Sequence, residues 1–146
     1  MDAHLELQGH RLIQLGALLF LLTCVEGFAI PYLPVPVLGL SVHTLAGTSG
    51  VVLIALGLVW PRLRLGSAAS ATAFWTLIYS TLATIVIFVL AAFWKAGATI
   101  IPIAAQGARG SNAQEAALQI IAYTAGPTAL IAFSLIAWGL RSPPKT

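Results

Sequence analysis

The chain has 146 residues, 59% of them hydrophobic and only 8% charged, and its mean hydropathy is +0.95. A soluble domain carries about 25% charged residues, so this composition excludes a water-soluble globular enzyme, a disordered tail and a nucleic-acid binder. Seven Lys and Arg against four Asp and Glu leave a net charge of +3, a loop charge that orients a membrane protein rather than a footprint for nucleic acid.

The length suits one integral membrane domain, and a chain this small encloses little cavity alone, so self-association is expected. A spanning helix needs about 20 apolar residues, and four stretches supply them. The first, 12–30, is interrupted only by Glu26. It also holds Cys24, the single cysteine, which reads as inert packing. The acidic amino end, with Asp2 and Glu6, does not read as a cleaved signal. Pro31, Pro34 and Pro36 then forbid a helix. The second stretch, 38–60, contains His43 and stops at Pro61. The third, 65–94, opens with an interfacial turn at Gly66 and Ser67, so the span proper is 68–94. Residues 98–105, with Pro102 inside, read as an interfacial or re-entrant segment. A polar loop over 107–114 follows, in which Asn112 and Glu115 are spaced as a helix-capping pair. The fourth stretch, 116–140, is broken midway by Gly126 and Pro127.

Trp60, Trp75, Trp94 and Trp138 lie near span ends, where interfacial tryptophans gather. Barrel-type alternation is absent, and helices satisfy every backbone group internally, as a bilayer core requires. The expected fold is all-α: an integral membrane four-helix bundle. Arg11, Arg62, Arg64, Arg141 and Lys145 fall on one side, against Lys95 and Arg109 on the other, which puts both termini in the cytoplasm.

Ionisable residues inside a membrane are costly, and each is a functional hypothesis. Here they are Glu26 and His43, each about a turn from the proline-rich connection and therefore at similar depth, within reach of a mutual hydrogen bond. At about 100° per residue, Gly39, His43, Gly47, Gly50 and Gly57 share one helical stripe. That stripe has two readings. One is a close helix–helix contact, with His43 bonding a neighbouring carbonyl. The other is a flat ligand lying against the glycines with His43 beneath it, since imidazole suits iron, zinc and copper. A cage of several protein ligands does not fit one deep histidine and no cysteine pair. Haem needs only one or two protein ligands, and without a Cys-x-x-Cys-His motif it would be non-covalent. His4 and His10 read as surface residues. In the third span the hydroxyls of Thr76, Ser80, Thr81 and Thr84 are expected to bond their own helix, whereas the phenol of Tyr79 should find a partner. Arg109 reads either as a solvated charge or as a clamp for a carboxylate or propionate.

The run Gly9-His10-Arg11-Leu12-Ile13 followed by Leu18-Leu19-Phe20-Leu21-Leu22 resembles the first helix of the hydroxylaminobenzene mutase and styrene oxide isomerase family. So does Gly39-Leu40-Ser41-Val42-His43, where the family reads Gly-Leu-Ser-Ala-His. The likeness continues through Leu56-Gly57-Leu58-Val59-Trp60-Pro61-Arg62-Leu63, Pro102-Ile103-Ala104-Ala105, Arg109-Gly110-Ser111, Ala113-Gln114-Glu115-Ala116 and Trp138-Gly139-Leu140-Arg141. It keeps its order over nearly the whole chain.

The resemblance implies a homo-oligomer, a trimer, in a bacterial inner membrane, with ferric haem b between subunits. His43 would be the axial ligand, and the iron a Lewis acid. Glu26, Gly39, Gly47, Gly50 and Arg109 would complete the cofactor site. Tyr79, Ser49 and Thr84 would orient a small aromatic substrate; Glu26 is unusual for its position in the family, and its nearness to His43, apart from the resemblance, suits it to tune the imidazole through a hydrogen bond. The implied reaction is an intramolecular isomerisation, either of a hydroxylaminoarene to an aminophenol or of an aryl epoxide to an aldehyde. Three further positions, Ser49, Ser80 and Thr84, depart from the family. Ser49 stands where the family has Asn, six residues after the histidine. Tyr79-Ser80-x-x-Ala83-Thr84 replaces a Tyr-Gly-x-x-Ala-Asn-like element. The rival readings are a small transporter or assembly factor, and a haem electron-transfer protein with a second strong axial ligand.

Overall fold

The computed structural model describes residues 3–141. Lys145, one of the charges in the orientation count, and Asp2 lie outside them. The described residues contain helices and no strand: α1 (Ala3–Glu26), α2 (Pro36–Val59), α3 (Ser67–Trp94), the short α4 (Pro102–Ala105) and α5 (Asn112–Gly139). The four long helices have the length and apolarity to cross a membrane, and the chain is a multi-pass membrane protein. Its outward side chains are those a lipid environment favours: Leu18, Leu21, Val25, Leu58 and Leu130 are all exposed.

Helix α1 starts at Ala3, well before residue 12. Leu5, Gln8, Gly9 and Leu12 keep one face against the bundle while His4, Glu6, His10 and Arg11 point outward, so a search for an uncharged run misses these turns. The helix ends at Glu26 rather than Ile30. Gly27 and Ala29 close it with bonds to the carbonyls of Thr23 and Glu26, and a 3₁₀ turn at Ile30–Tyr32 follows. Proline near the first turn of α2 supplies a helical φ where no donor is needed. Cys24 faces outward instead of packing in the core.

Helix α5 is capped one residue earlier than the Asn112–Glu115 spacing predicts. Ser111 Oγ accepts from the Gln114 N–H at 3.3 Å, and Gln114 Oε1 accepts from the Ser111 N–H at 2.8 Å. The expected break at Gly126 and Pro127 does not occur, and α5 runs through both. Spanning helices tolerate proline where side-chain hydroxyls bond the neighbouring carbonyls. Here Thr124 donates to Ile120 or Ile121, and Thr128 to Thr124 or Ala125.

Helices α1 and α2 form one hairpin, α3 packs on α5, and α2 joins the two pairs through α3. Leu12, Leu53, Phe74, Leu77 and Ile136 fill the shared core. Trp60 is also in that core, fully buried, with its indole N–H donating to Gln8 Oε1 at 3.0 Å and its ring set edge-on to Phe74. It is therefore not an interfacial tryptophan. Trp138 does lie at a helix end, exposed, beneath the Arg141 guanidinium at 4.1 Å.

The α1–α2 contact is made by backbone. A Cβ on Gly16 would lie 2.5 Å from the Gly50 carbonyl oxygen, and one on Gly50 would lie 2.7 Å from that of Gly16. Gly9 and Gly57 repeat the arrangement at 2.7 and 2.6 Å. Small residues permit such an approach in a membrane, where packing rather than water expulsion holds helices together. Any side chain at these positions must push the helices apart. Gly16→Ala and Gly50→Ala are expected to cost about 1–3 kcal/mol each, as overpacking does. Gly126→Ala, where a Cβ meets nothing within 4 Å, should leave stability unchanged. Thermal unfolding of the three detergent-solubilised variants checks this.

Candidate functional site

The glycine seam leads to the ionisable pair. Along α2, Gly57, Gly50 and His43 recur every seven residues and return to the same face. The third place in the seam thus holds an imidazole instead of a hydrogen. Across from it, α1 presents Thr23, Glu26 and then Gly27. His43 Nδ1 lies 3.2 Å from Glu26 Oε2. The ring rests over Gly27, where a Cβ would come within 3.2 Å of it. The His43 side chain is 38% exposed and that of Glu26 16%. Glu26 Oε1 is buried and has no hydrogen-bond partner among the described residues.

This arrangement defines what the imidazole can do. A neutral imidazole carries one N–H, and a carboxylate at Nδ1 holds it there. In the tautomer with the proton at Nδ1, Nε2 carries the lone pair, on a side chain that is partly exposed. No group of three potential ligands from His, Cys, Asp and Glu occurs among the described residues.

The rest of the predicted site separates. Gly39 is covered by Leu33, and Gly50 by Gly16 and Phe20 of α1, so at these positions the chain itself fills the space over the stripe. Gly47 meets Thr23 at ordinary contact distance, 3.5 Å. Ser49 and Thr84 come together in a cavity of about 220 Å³ between α2, α3 and α5, with Thr48, Ser80, Thr81 and Phe133 among its lining. The Thr84 hydroxyl donates to the Ser80 carbonyl at 2.8 Å, which leaves its oxygen as an acceptor. Tyr79 is not in this cavity. Five residues of helix place it about 140° from Thr84, in an outward hollow with Trp75, Leu82, Val86 and Ile121. Its oxygen lies 2.6 Å from Thr124 Oγ1. Because Thr124 spends its one proton on a carbonyl, the phenol is the donor in that pair. His43 lines neither cavity.

Arg109 is exposed on the loop between α4 and α5, at the end of the bundle where α2 begins. The loop depends on Glu115, a buried carboxylate that sequence spacing had assigned to a cap. Glu115 Oε1 accepts from the Gly97 N–H at 2.9 Å and the Gly110 N–H at 3.1 Å, and Oε2 from the Thr99 N–H at 3.1 Å. The chain reverses around it through Lys95 and Gln106, both left-handed, and Gly97 and Gly107 with positive φ. An acid one turn into a helix, just after a glycine-punctuated loop, is the sequence signal for such an anchor. Gly27 was missed as well, because its function shows only once the imidazole lies against it.

A family profile described as styrene oxide isomerase matches residues 8–141. The chain belongs to the styrene oxide isomerase family. Every side chain of the candidate site falls within the matched region. The chain is also 42% identical, over 134 residues, to a protein of Ectopseudomonas oleovorans named hydroxylaminobenzene mutase HabB, covering 92% of this chain and 82% of that one. A second protein of the same organism, named hydroxylaminobenzene mutase HabA, is 36% identical over 125 residues, covering 86% and 93%. No solved structure matches.

Charge-assisted hydrogen bonds contribute about 1.5–3 kcal/mol each, so Glu115→Ala is expected to destabilise the protein by roughly 2–4 kcal/mol. Glu115→Gln should lose less. Unfolding temperature, together with new protease cleavage between residues 97 and 110, measures the effect.

Proposed function

We propose that this protein is a haem b-dependent intramolecular isomerase of aryl substrates, converting a hydroxylaminoarene to an aminophenol. The observation that carries this reading is the His43 imidazole, a partly exposed side chain engaged at Nδ1 by Glu26. The two mutase relatives support the reaction class.

The residues present fit such a cofactor. Haem supplies four of its own nitrogens to iron and asks the protein for one or two. One imidazole backed by a carboxylate meets that need, and a site on the outside of one chain calls for a second copy to cover it. The reading is therefore of a homo-oligomer, a trimer in the family pattern, in which His43 would hold the iron and Arg109 would pair with a propionate. Gly47 would lie beside the ring, whereas Gly39 and Gly50 would serve by fixing the helix that carries His43. Ferric haem would supply a Lewis acid for the charge that develops on oxygen as the N–O bond breaks.

The chain's own groups would do the rest. Ser49 and Thr84 would hold the aryl substrate by hydrogen bonds from the cavity they line. Tyr79 faces away from that cavity and would reach substrate only across a subunit boundary. Apolar walls exclude the water that would otherwise capture the electron-poor arene. The hydroxyl oxygen would move from nitrogen to a ring carbon, the proton of that carbon would end on the nitrogen to complete the amine, and no atom or electron is gained or lost. Few acids or bases are needed, which suits a chain this poor in them. The family's own description favours a second reading, the opening of an aryl epoxide to an aldehyde. The excess of Arg and Lys at the end that holds Arg11, Arg62, Arg64 and Arg141 supports cytoplasmic termini in a bacterial inner membrane.

Purified protein is expected to show a Soret band and to convert phenylhydroxylamine to 2-aminophenol without added reductant. His43→Ala should lose both. Protein with no Soret band would falsify the reading, as would a His43→Ala variant with full haem and activity. Cargo flux without product would favour a transporter, and ready redox cycling with quinol an electron carrier.

A further inference from the structure

We propose that Glu26 is the positioning residue of this centre. Its carboxylate accepts the Nδ1 proton of His43, selects the tautomer that presents the Nε2 lone pair, and strengthens that nitrogen as a donor to iron. The inference rests on the haem reading above and deepens it.

The geometry argues for this role and against a structural one. Glu26 is the last residue of α1, and the glycine seam sets it opposite His43 at 3.2 Å. Among the acids in the described residues it is the one left unsatisfied. Glu6 is exposed and Glu115 collects three backbone donors. Glu26 has His43 on one oxygen and nothing on the other, which is buried. A buried oxygen without a partner is destabilising, and more so at membrane depth. Packing alone would be served as well by glutamine or leucine. What a carboxylate adds is a negative charge behind the imidazole, which fixes ring orientation and raises ligand basicity. The same charge favours the higher oxidation state of an iron held at Nε2, the state in which a Lewis acid is strongest. Gly27 lets the ring seat against the α1 end.

The test compares wild type with Glu26→Gln, which keeps the shape and removes the charge, and with Glu26→Ala. Both should retain haem about 10–100-fold less tightly, the usual consequence of losing such a partner, with Gln nearer wild type. The haem that remains should show a more positive midpoint potential and a weaker iron–histidine stretch by resonance Raman. The haem-free variants should unfold at the wild-type temperature or above it. If Glu26→Gln keeps the wild-type affinity, potential and stretch, the proposal is overturned while the haem reading stands. If haem-free Glu26→Gln is destabilised in step with its loss of haem, the residue is structural and the proposal is again overturned. Wild-type protein without haem removes the Proposed function itself, so the two failures are distinguishable.

Discussion

Backbone contact between α1 and α2 is the constraint on which the rest depends. In lipid the hydrophobic effect does not drive helices together, so what holds them is close packing and hydrogen bonding. Gly9 with Gly57 and Gly16 with Gly50 bring carbonyls to where side chains would normally stand. Each glycine both occupies a gap and makes one, so the hairpin has a single register. A slip of one residue would drive a side chain into backbone at both contacts. That register carries His43 to Glu26 with no further device.

Around this hairpin the chain builds two different polar environments. At one end an imidazole and a carboxylate face each other, partly open to the outside. Elsewhere, hydroxyls of α2 and α3 line a small open cavity between α2, α3 and α5. Of those hydroxyls, Ser80 and Thr84 donate to carbonyls of their own helix and present acceptor oxygens. The α3–α5 pair contributes by a separate route. Glu115 knots the 95–111 connection from inside, and this holds Arg109 at the end of the bundle where α2 begins.

Much of this was legible in the residues. The four spans follow from hydrophobic length, and the common depth of Glu26 and His43 follows from counting turns away from the prolines. The misreadings share a physical origin. Pro127 suggests a break because a helix loses a donor there, yet α5 runs through it, with Thr124 and Thr128 hydroxyls bonding carbonyls of the adjoining turns. The place of Trp60 at a span end suggests the membrane interface, but Gln8, far away in sequence, draws its indole inward. Glu115 was read as a cap by local spacing, while its three donors come from up to eighteen residues away.

Composition and periodicity by themselves determined that the chain is helical, multi-pass and marked by two intramembrane ionisable groups, because the cost of burying charge and unpaired backbone in lipid leaves no other solution. Only the tertiary structure decided how the glycine stripe is used. A small-residue face is equally suited to a flat ligand and to another helix, and nothing local separates the two. Packing of α1 closes the stripe at Gly50 and Gly57, and the turn at Leu33 closes it at Gly39. It also put Tyr79 on the opposite side of α3 from Ser49 and Thr84. Side chains five residues apart diverge by well over a right angle, and which of them meets α2 is set by how α3 rolls against its neighbours.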